Sequence, residues 1–274
     1  MKNLKKFRGY FIEALKSLYT ESEALELFNQ SLEDQLKLSP IEIALDPGLE
    51  KNVSKLEKTL ERLITGEPYQ YIRGKTQFMG LDFLVNPNVL IPRPETEELV
   101  NWLIEQCPKE KTVKIIDLCT GSGCIAISLA KFLGKKAEIA GLDYSTKALE
   151  VARRNAKLNR VDINWIECDL LALEELDNQY DIIISNPPYV RMLEKEEIKA
   201  NVLEHEPHMA LFVENDDALI FYKKIAQLAK GRPIYFEINQ YLGKQTIELL
   251  KTQKYSSIVL KKDFRGNDRM IHAS

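Results

Sequence analysis

The fold open to this chain is constrained most by residues 113–126, Val-Lys-Ile-Ile-Asp-Leu-Cys-Thr-Gly-Ser-Gly-Cys-Ile-Ala. The run Val113 to Leu118, rich in β-branched and aliphatic side chains, reads as a buried strand. Gly121-Ser122-Gly123 then makes a tight turn, and Ile125 to Phe132 continues as a helix. Glycines at such a turn permit positive φ and close approach of a ligand to the backbone. A Gly-x-Gly-x-x-Ala loop between strand and helix is therefore either a cradle for a nucleotide-like ligand or a turn that only packs helix on strand.

The residues that follow favour the cradle. A second strand, Ala137 to Leu142, ends in Asp143, 22 residues after Gly121. An acidic group at that spacing can accept hydrogen bonds from both ribose hydroxyls. A helix over Thr146 to Leu158 and a third strand over Ile163 to Glu167 lead to Cys168-Asp169-Leu170, where an adenine edge could be read. An apolar run, Tyr180 to Ser185, reads as a fourth strand and ends in Asn186-Pro187-Pro188-Tyr189. That corner is either ordinary turn punctuation or a device for holding a planar NH2 group. In the second case the Asn186 side-chain oxygen accepts one N–H, the Pro187 carbonyl accepts the other, and Tyr189 stacks on the flat group. Amide and aromatic NH2 nitrogens are poor nucleophiles, so polarising both N–H bonds and aiming the nitrogen is what such a site can offer.

Two ligands suit the glycine loop, NAD and S-adenosyl-L-methionine (SAM). Asp117 ends the first strand just before the glycines, where it can meet a cationic amino group; beside a pyrophosphate it would be repulsive. The Asn-Pro-Pro-Tyr corner also falls after the fourth strand, where a methyl donor would point. Both features favour SAM. With both motifs in hand, the chain resembles the HemK/PrmC family, the protein-(glutamine-N5) methyltransferases of peptide chain release factors. Three further segments carry the resemblance: Gly66 to Gly74 with Phe78 and Gly80 to Phe83, Val89 to Glu97 with its Ile-Pro-Arg-Pro-Glu-Thr-Glu run, and Glu206 to Leu211. It extends from about Gly66 to the C-terminus. Cys119 stands where that family commonly has Gly, and His205 where an aromatic is more usual.

Composition bounds the alternatives. No apolar run approaches the roughly 20 residues of a membrane span, and the N-terminus lacks an apolar signal core. The expected location is the cytoplasm. The formal net charge is −3, and the first 85 residues hold 12 basic against 13 acidic side chains. A basic face for nucleic-acid phosphates is not visible in that balance. Cys107, Cys119, Cys124 and Cys168 show no metal spacing and read as free buried thiols; His205, His208 and His272 do not cluster. No metal is expected.

The expected organisation has three parts: a helical bundle over 1–74, a β-hairpin linker over 75–94 and a methyltransferase domain over 95–274. In the first, Phe7, Tyr10, Phe11, Leu15, Ala24, Leu25, Leu27, Phe28, Leu60, Leu63 and Ile64 recur at helical spacing. Beyond Tyr189 the pattern predicts a helix over Ala218 to Ala229, a strand over Pro233 to Ile238, and a helix over Gln240 to Gln253. Strands over Ser256 to Lys261 and Arg269 to Ala273 complete it. Periodicity gives mixed α/β; a Rossmann-like, seven-stranded methyltransferase sheet is what the resemblance implies.

The expected reaction is methyl transfer from SAM to the side-chain amide nitrogen of glutamine. Asn186, Pro187 and Tyr189 are the expected catalytic residues, with Pro188 beside them at the substrate. Asp117, Leu118, Cys119, Thr120, Gly121 and Gly123 are expected at the amino-acid end of the cofactor, Asp143 at the ribose, Asp169 and Leu170 at the adenine, with Asn186 also touching the cofactor. The resemblance implies the Gly-Gly-Gln loop of class 1 release factors as substrate. The helical part is expected to grip that protein, in a monomer, and no direct nucleic-acid contact is expected. Two rivals remain: an adenine or cytosine amino group of nucleic acid as acceptor, and a non-catalytic SAM-binding adaptor.

Overall fold

The computed structural model describes residues 1–108, 110–177, 179–198 and 200–274. They form two compact units, Met1–Gly74 with Lys199–His205, and Lys75–Ile198 with Glu206–Ser274.

The smaller unit is helical: α1 (Leu4–Leu15), α2 (Glu21–Leu36), α3 (Pro40–Leu45), α4 (Ser54–Ile64) and α5 (Tyr69–Arg73), with a short helix at Ala200–His205. Local chemistry sets the helix starts. At α2, Thr20 and Glu23 form a capping box, the Thr20 Oγ1 accepting from the Glu23 N–H at 3.2 Å while the Glu23 carboxylate accepts from the Thr20 N–H at 2.9 Å. Pro40 occupies the first turn of α3, where its missing N–H is harmless. Leu4, Phe7, Phe11 and Leu15 bury one stripe of α1 against Ala24, Phe28 and Leu32 of α2 and Leu56, Leu60 and Leu63 of α4. Phe11 and Phe28 meet edge-to-face at 5.4 Å. Tyr10, Leu25 and Ile64, which share the apolar spacing, lie exposed.

The larger unit opens with the hairpin β1 (Lys75–Phe78) and β2 (Leu81–Leu84), then α6 (Pro94–Gln106). Alternation follows: β3 (Val113–Leu118), α7 (Cys124–Leu133), β4 (Ala137–Asp143), α8 (Thr146–Asn159), β5 (Asn164–Glu167) and β6 (Ile182–Ser185). After an irregular stretch come α9 (Ile220–Ala229), β7 (Ile234–Glu237), α10 (Gly243–Thr252), β8 (Ile258–Lys262) and β9 (Asp268–Ala273). The seven strands β3 to β9 form one sheet in the order β8-β9-β7-β6-β3-β4-β5. Pairing is parallel from β7 to β5, and β9 runs antiparallel to both of its neighbours. The expected α/β class and seven-stranded sheet are thus both present.

Alternation of side chains divides two cores between the faces of the sheet. Ile115, Ile182, Ile184 and Tyr235 pack with Leu99, Trp102 and Leu103 of α6 and with Ile125 and Leu129 of α7. Ile116, Leu118, Ile183 and Phe236 pack with Tyr222 and Ile225 of α9 and Leu250 of α10. The hairpin joins the first core through Phe78 and Phe83. Asn155 on α8 fastens it, accepting from the Leu84 N–H at 2.6 Å and donating to the Leu84 and Ser122 carbonyls. The last of these ties hairpin, helix and glycine loop to one side chain.

Two glycines are required by close approach. A Cβ at Gly123 would stand 2.9 Å from Trp165 Cη2, and one at Gly141 on β4 would stand 2.5 Å from Trp165 Cζ3. The Trp165 indole packs closely against the backbone that carries the glycine loop. Gly141→Ala is expected to destabilise the protein by about 1–3 kcal/mol through overpacking, read as a fall in Tm of several degrees. Combined with Trp165→Leu, it should cost less than the sum of the two single changes. An unchanged Tm for Gly141→Ala would show that the indole yields freely.

Candidate active site

Strand order reverses between β3 and β6, so chain connections leave the sheet in opposite directions there. The crevice outside the carboxyl ends of strands at such a point is the usual ligand site of an open α/β sheet. A cavity of about 390 Å³ lies there. Its walls come from the β3–α7 loop (Cys119 to Ser122), the end of β4 (Asp143 to Ser145), the loop after β5 (Asp169 to Leu171) and the corner after β6 (Asn186, Pro188). Further lining comes from the segment before α6 (Asn88 to Leu90, Pro92, Arg93), Thr96 in the first turn of α6, Leu142 on β4, a stretch around Pro207 to Phe212, and Phe221 on α9. Every lining residue belongs to the larger unit.

Eight of the residues singled out in the sequence line the cavity: Cys119, Thr120, Gly121, Asp143, Asp169, Leu170, Asn186 and Pro188. Five do not. Asp117 is fully buried behind the loop, its Oδ2 accepting from the Thr120 hydroxyl at 2.5 Å. Leu118 is a core residue, and Gly123 serves the contact with Trp165. Pro187 is buried, and Tyr189 turns its hydroxyl to the Glu237 carboxylate at 2.9 Å.

Asp143 holds the loop. Its Oδ2 accepts from the Gly121 N–H at 2.8 Å and its Oδ1 from the Ser145 N–H at 2.9 Å. Burial raises its carboxyl above the usual range, and these backbone donors partly restore it. The carboxylate keeps lone-pair capacity for ligand hydroxyls. Asp169 Oδ1 accepts from the Leu171 N–H at 2.9 Å, shaping the far wall. Cys119 adopts φ +62°, the left-handed region that costs a non-glycine residue about 1 kcal/mol. Glycine's advantage at this position is thus conformational. Cys119 and Cys168 are half-buried and Cys107 and Cys124 buried, so the expectation of buried thiols holds for the latter two alone. Burial first, then the carboxylates of Asp143 and Asp117, holds the Cys119 thiol well above its ordinary value.

Several site residues escaped the sequence reading. Glu206 is buried, accepting from the Ile91 N–H at 3.1 Å and pairing with Arg93 at 2.7 Å; it clamps the segment before α6 to the Pro207 stretch. Thr96 donates to Glu237 Oε2 at 2.5 Å and accepts from Asn186 Nδ2 at 3.2 Å. The one clue to Glu237 was a lone acid ending an apolar strand, Ile-Tyr-Phe-Glu, at the carboxyl edge of the sheet.

The cavity fits SAM. A Cβ at Gly121 would meet nothing within 4 Å, which leaves the loop backbone bare to a ligand. Asp117 Oδ1 is buried without a hydrogen-bond partner, an orphaned acceptor beneath that loop, although the nearby Ala126 N–H favours its charge. Hydroxyl-accepting Asp143 and the apolar side chains of Leu142 and Leu170 supply the remaining surface for a ribose and a flat ring.

Fold and cavity together define a class, the methyltransferases that take their methyl group from SAM. Residues 95–211 match the family model described as the methyltransferase small domain. Among solved structures, the hMettl16 catalytic domain superposes with a TM-score of 0.57 at 17% identity, covering 71% of this chain and 76% of that one. A methyltransferase from Pyrococcus furiosus gives 0.50 at 14% identity, covering 81% and 98%. These two support the fold. The release factor glutamine methyltransferase of Flavobacterium psychrophilum is 51% identical over 98% of both chains, and that of Bacteroides thetaiotaomicron is 38% identical over 99% of this chain and 100% of its own. The chain belongs to the release factor glutamine methyltransferase family.

Asp117 yields a pH test. Burial pushes its carboxyl up to about 7, with the Thr120 hydroxyl and Ala126 N–H partly offsetting and Asp143 adding to the rise. Its folded value thus lies above its unfolded value of about 3.9. The stability it contributes is complete below the unfolded value and is lost as pH rises through about 7. Relative to the wild type, Asp117→Asn should gain on the order of 3 kcal/mol between pH 5 and pH 8. Denaturant titrations at the two pH values check this; a difference independent of pH would mean that Asp117 is charged throughout.

Proposed function

We infer that the protein transfers the methyl group of SAM to the side-chain amide nitrogen, N5, of the glutamine in the Gly-Gly-Gln loop of class 1 peptide chain release factors. One observation carries the chemistry. Asn186 stands on the cavity wall with its own NH2 tied to Thr96. What it has left to offer is an acceptor, and an acceptor is what the NH2 of a planar amide requires. Family membership supplies the substrate: the relatives are release factor glutamine methyltransferases.

When bound, SAM supplies an electrophilic methyl group on its sulfonium. The chain's residues do the rest. Asn186 Oδ1 accepts one N–H of the glutamine amide and the Pro187 carbonyl accepts the other, so the nitrogen is held toward the methyl carbon. Tyr189, anchored on Glu237 through its hydroxyl, lies outside the cavity lining and is proposed to meet the amide plane from the edge of the corner. Asp143 accepts from the ribose hydroxyls, Asp169 and Leu170 bound the adenine, and the backbone around Thr120 and Gly121 meets the amino-acid end. Asp117 acts from behind the loop as a buried counter-charge. An amide nitrogen that has gained a methyl group is acidic enough to release its extra proton to water, so no strong base is needed.

We further propose that residues 1–74 dock the body of the release factor, 75–94 connect, and 95–274 carry the chemistry, in a monomer. Support for the monomer is that one chain lines the whole cavity; light scattering checks it. A protein lacking residues 1–74 that still binds SAM should methylate a whole release factor far more slowly than the full chain. The even charge balance and net charge of −3 support a substrate other than nucleic acid. No helix among the described residues is long and apolar enough to cross a membrane, and we propose action in the cytoplasm, where translation runs.

Incubation with labelled SAM, release factor and total nucleic acid should place label in the release factor alone, and replacing the Gly-Gly-Gln glutamine should abolish it. Asn186→Ala should cut turnover by about 10²-fold or more while leaving SAM affinity nearly unchanged. Asp143→Ala should weaken SAM binding by about 1–3 kcal/mol. Label in nucleic acid, or in the glutamine-free release factor, would move the acceptor to another group.

A further inference from the structure

Glu237 ends β7 with 1% of its surface exposed. Its two carboxylate oxygens face different hydroxyls. Oε2 accepts from Thr96 at 2.5 Å and Oε1 from Tyr189 at 2.9 Å. The Arg269 guanidinium stands 3.5 Å from the Tyr189 hydroxyl and is itself fixed by Asp263 at 3.1 Å. Burial raises the Glu237 carboxyl above its usual range, while the two hydroxyls and Arg269 favour its charged form. Thr96, 2% exposed, connects this group to the cavity by accepting from Asn186 Nδ2 at 3.2 Å.

Counting protons fixes the direction of this chain. A hydroxyl has one proton and two lone pairs, and a carboxylate only accepts. Thr96 therefore spends its proton on Glu237 and presents a lone pair to Asn186. The NH2 end of Asn186 satisfies that lone pair. The flipped amide would set Oδ1 against it and leave two acceptors facing each other, which is penalised away from water. That penalty matters because the two orientations of an asparagine amide have nearly the same shape, and one of them presents NH2 to the substrate NH2.

We propose that Thr96 and Glu237 are positioning residues for methyl transfer, which orient the Asn186 amide so that its oxygen faces the acceptor nitrogen. The proposal rests on the glutamine-amide reading above. Tyr189 shares the same anchor, so Glu237 ties down two side chains of the corner. Thr96 reaches it across 141 residues of chain, from the first turn of α6, which explains why the Pro-Arg-Pro-Glu-Thr segment belongs to the site.

The test uses the full chain, a release factor and labelled SAM, with the affinity for S-adenosylhomocysteine measured for each variant. Thr96→Val should lower kcat by about tenfold or more with that affinity changed less than about twofold. Thr96→Ser, which keeps the hydroxyl, should recover most of the rate. Glu237→Gln puts a donor where a proton must be accepted and should lower kcat at least as far as Thr96→Val. In an Asn186→Ala background Thr96→Val should have no further effect, because the group it orients is gone. Wild-type turnover by Thr96→Val, a full extra loss on top of Asn186→Ala, or a matching loss of S-adenosylhomocysteine affinity would overturn the proposal. The same assay on a release factor lacking the glutamine separates the two readings. Label there refutes the acceptor assignment whatever Thr96 does; label confined to the glutamine leaves the Thr96 and Glu237 results to judge the relay alone.

Discussion

Four parallel strands of this protein end in polar side chains that are wholly or largely buried, and the rest of the site follows from satisfying them. Asp117, Asp143, Asn186 and Glu237 stand at or just beyond the carboxyl ends of β3, β4, β6 and β7. A carboxylate taken out of water must find donors or change its protonation state. Asp143 finds two backbone N–H groups, and in doing so draws the glycine loop into shape. Glu237 finds two hydroxyls and a nearby guanidinium. Asp117 finds one hydroxyl and a nearby Ala126 N–H, too little to offset its full burial, which lifts its carboxyl to about 7. The three solutions differ, and the difference separates a loop anchor, a positioning anchor and a latent counter-charge.

Close backbone approach is the second constraint. Trp165 rests against Gly123 and Gly141 at distances no side chain would allow. The loop is packed against the Trp165 indole and held by Asn155, which also holds the hairpin. Cys119 then takes a left-handed conformation without being glycine, a small strain that the packed surroundings hold in place.

Much of the fold could be read along the chain because it depends on short-range pattern. The strand ends at Leu118 and Asp143 and the late antiparallel pair matched their sequence limits to within a residue or two, since apolar runs bounded by Gly, Asp and Asn leave little choice. The Asn-Pro-Pro-Tyr corner and the glycine loop were likewise visible, because each motif is contiguous. What was hidden depends on contacts across long stretches of sequence. Thr96 belongs to a contiguous motif, yet its partner Glu237 lies 141 residues on, and only the sheet order brings β7 beside the corner. Glu206 and Arg93 are 113 residues apart. Asp117 was expected at the cavity wall on the strength of its place before the glycines; alternation along β3 turns it inward instead. Grouping of 199–205 with the helical unit likewise has no local signal.

The central claim is that this corner grips a primary amide by its two N–H groups and aims the nitrogen at a sulfonium methyl. It is tested most directly by a crystal structure of the protein with S-adenosylhomocysteine and a Gly-Gly-Gln peptide. The glutamine nitrogen should stand about 3 Å from both Asn186 Oδ1 and the Pro187 carbonyl, with the cofactor sulfur facing that nitrogen. A glutamine presenting its carbonyl oxygen to Asn186, or lying away from the corner, would contradict it.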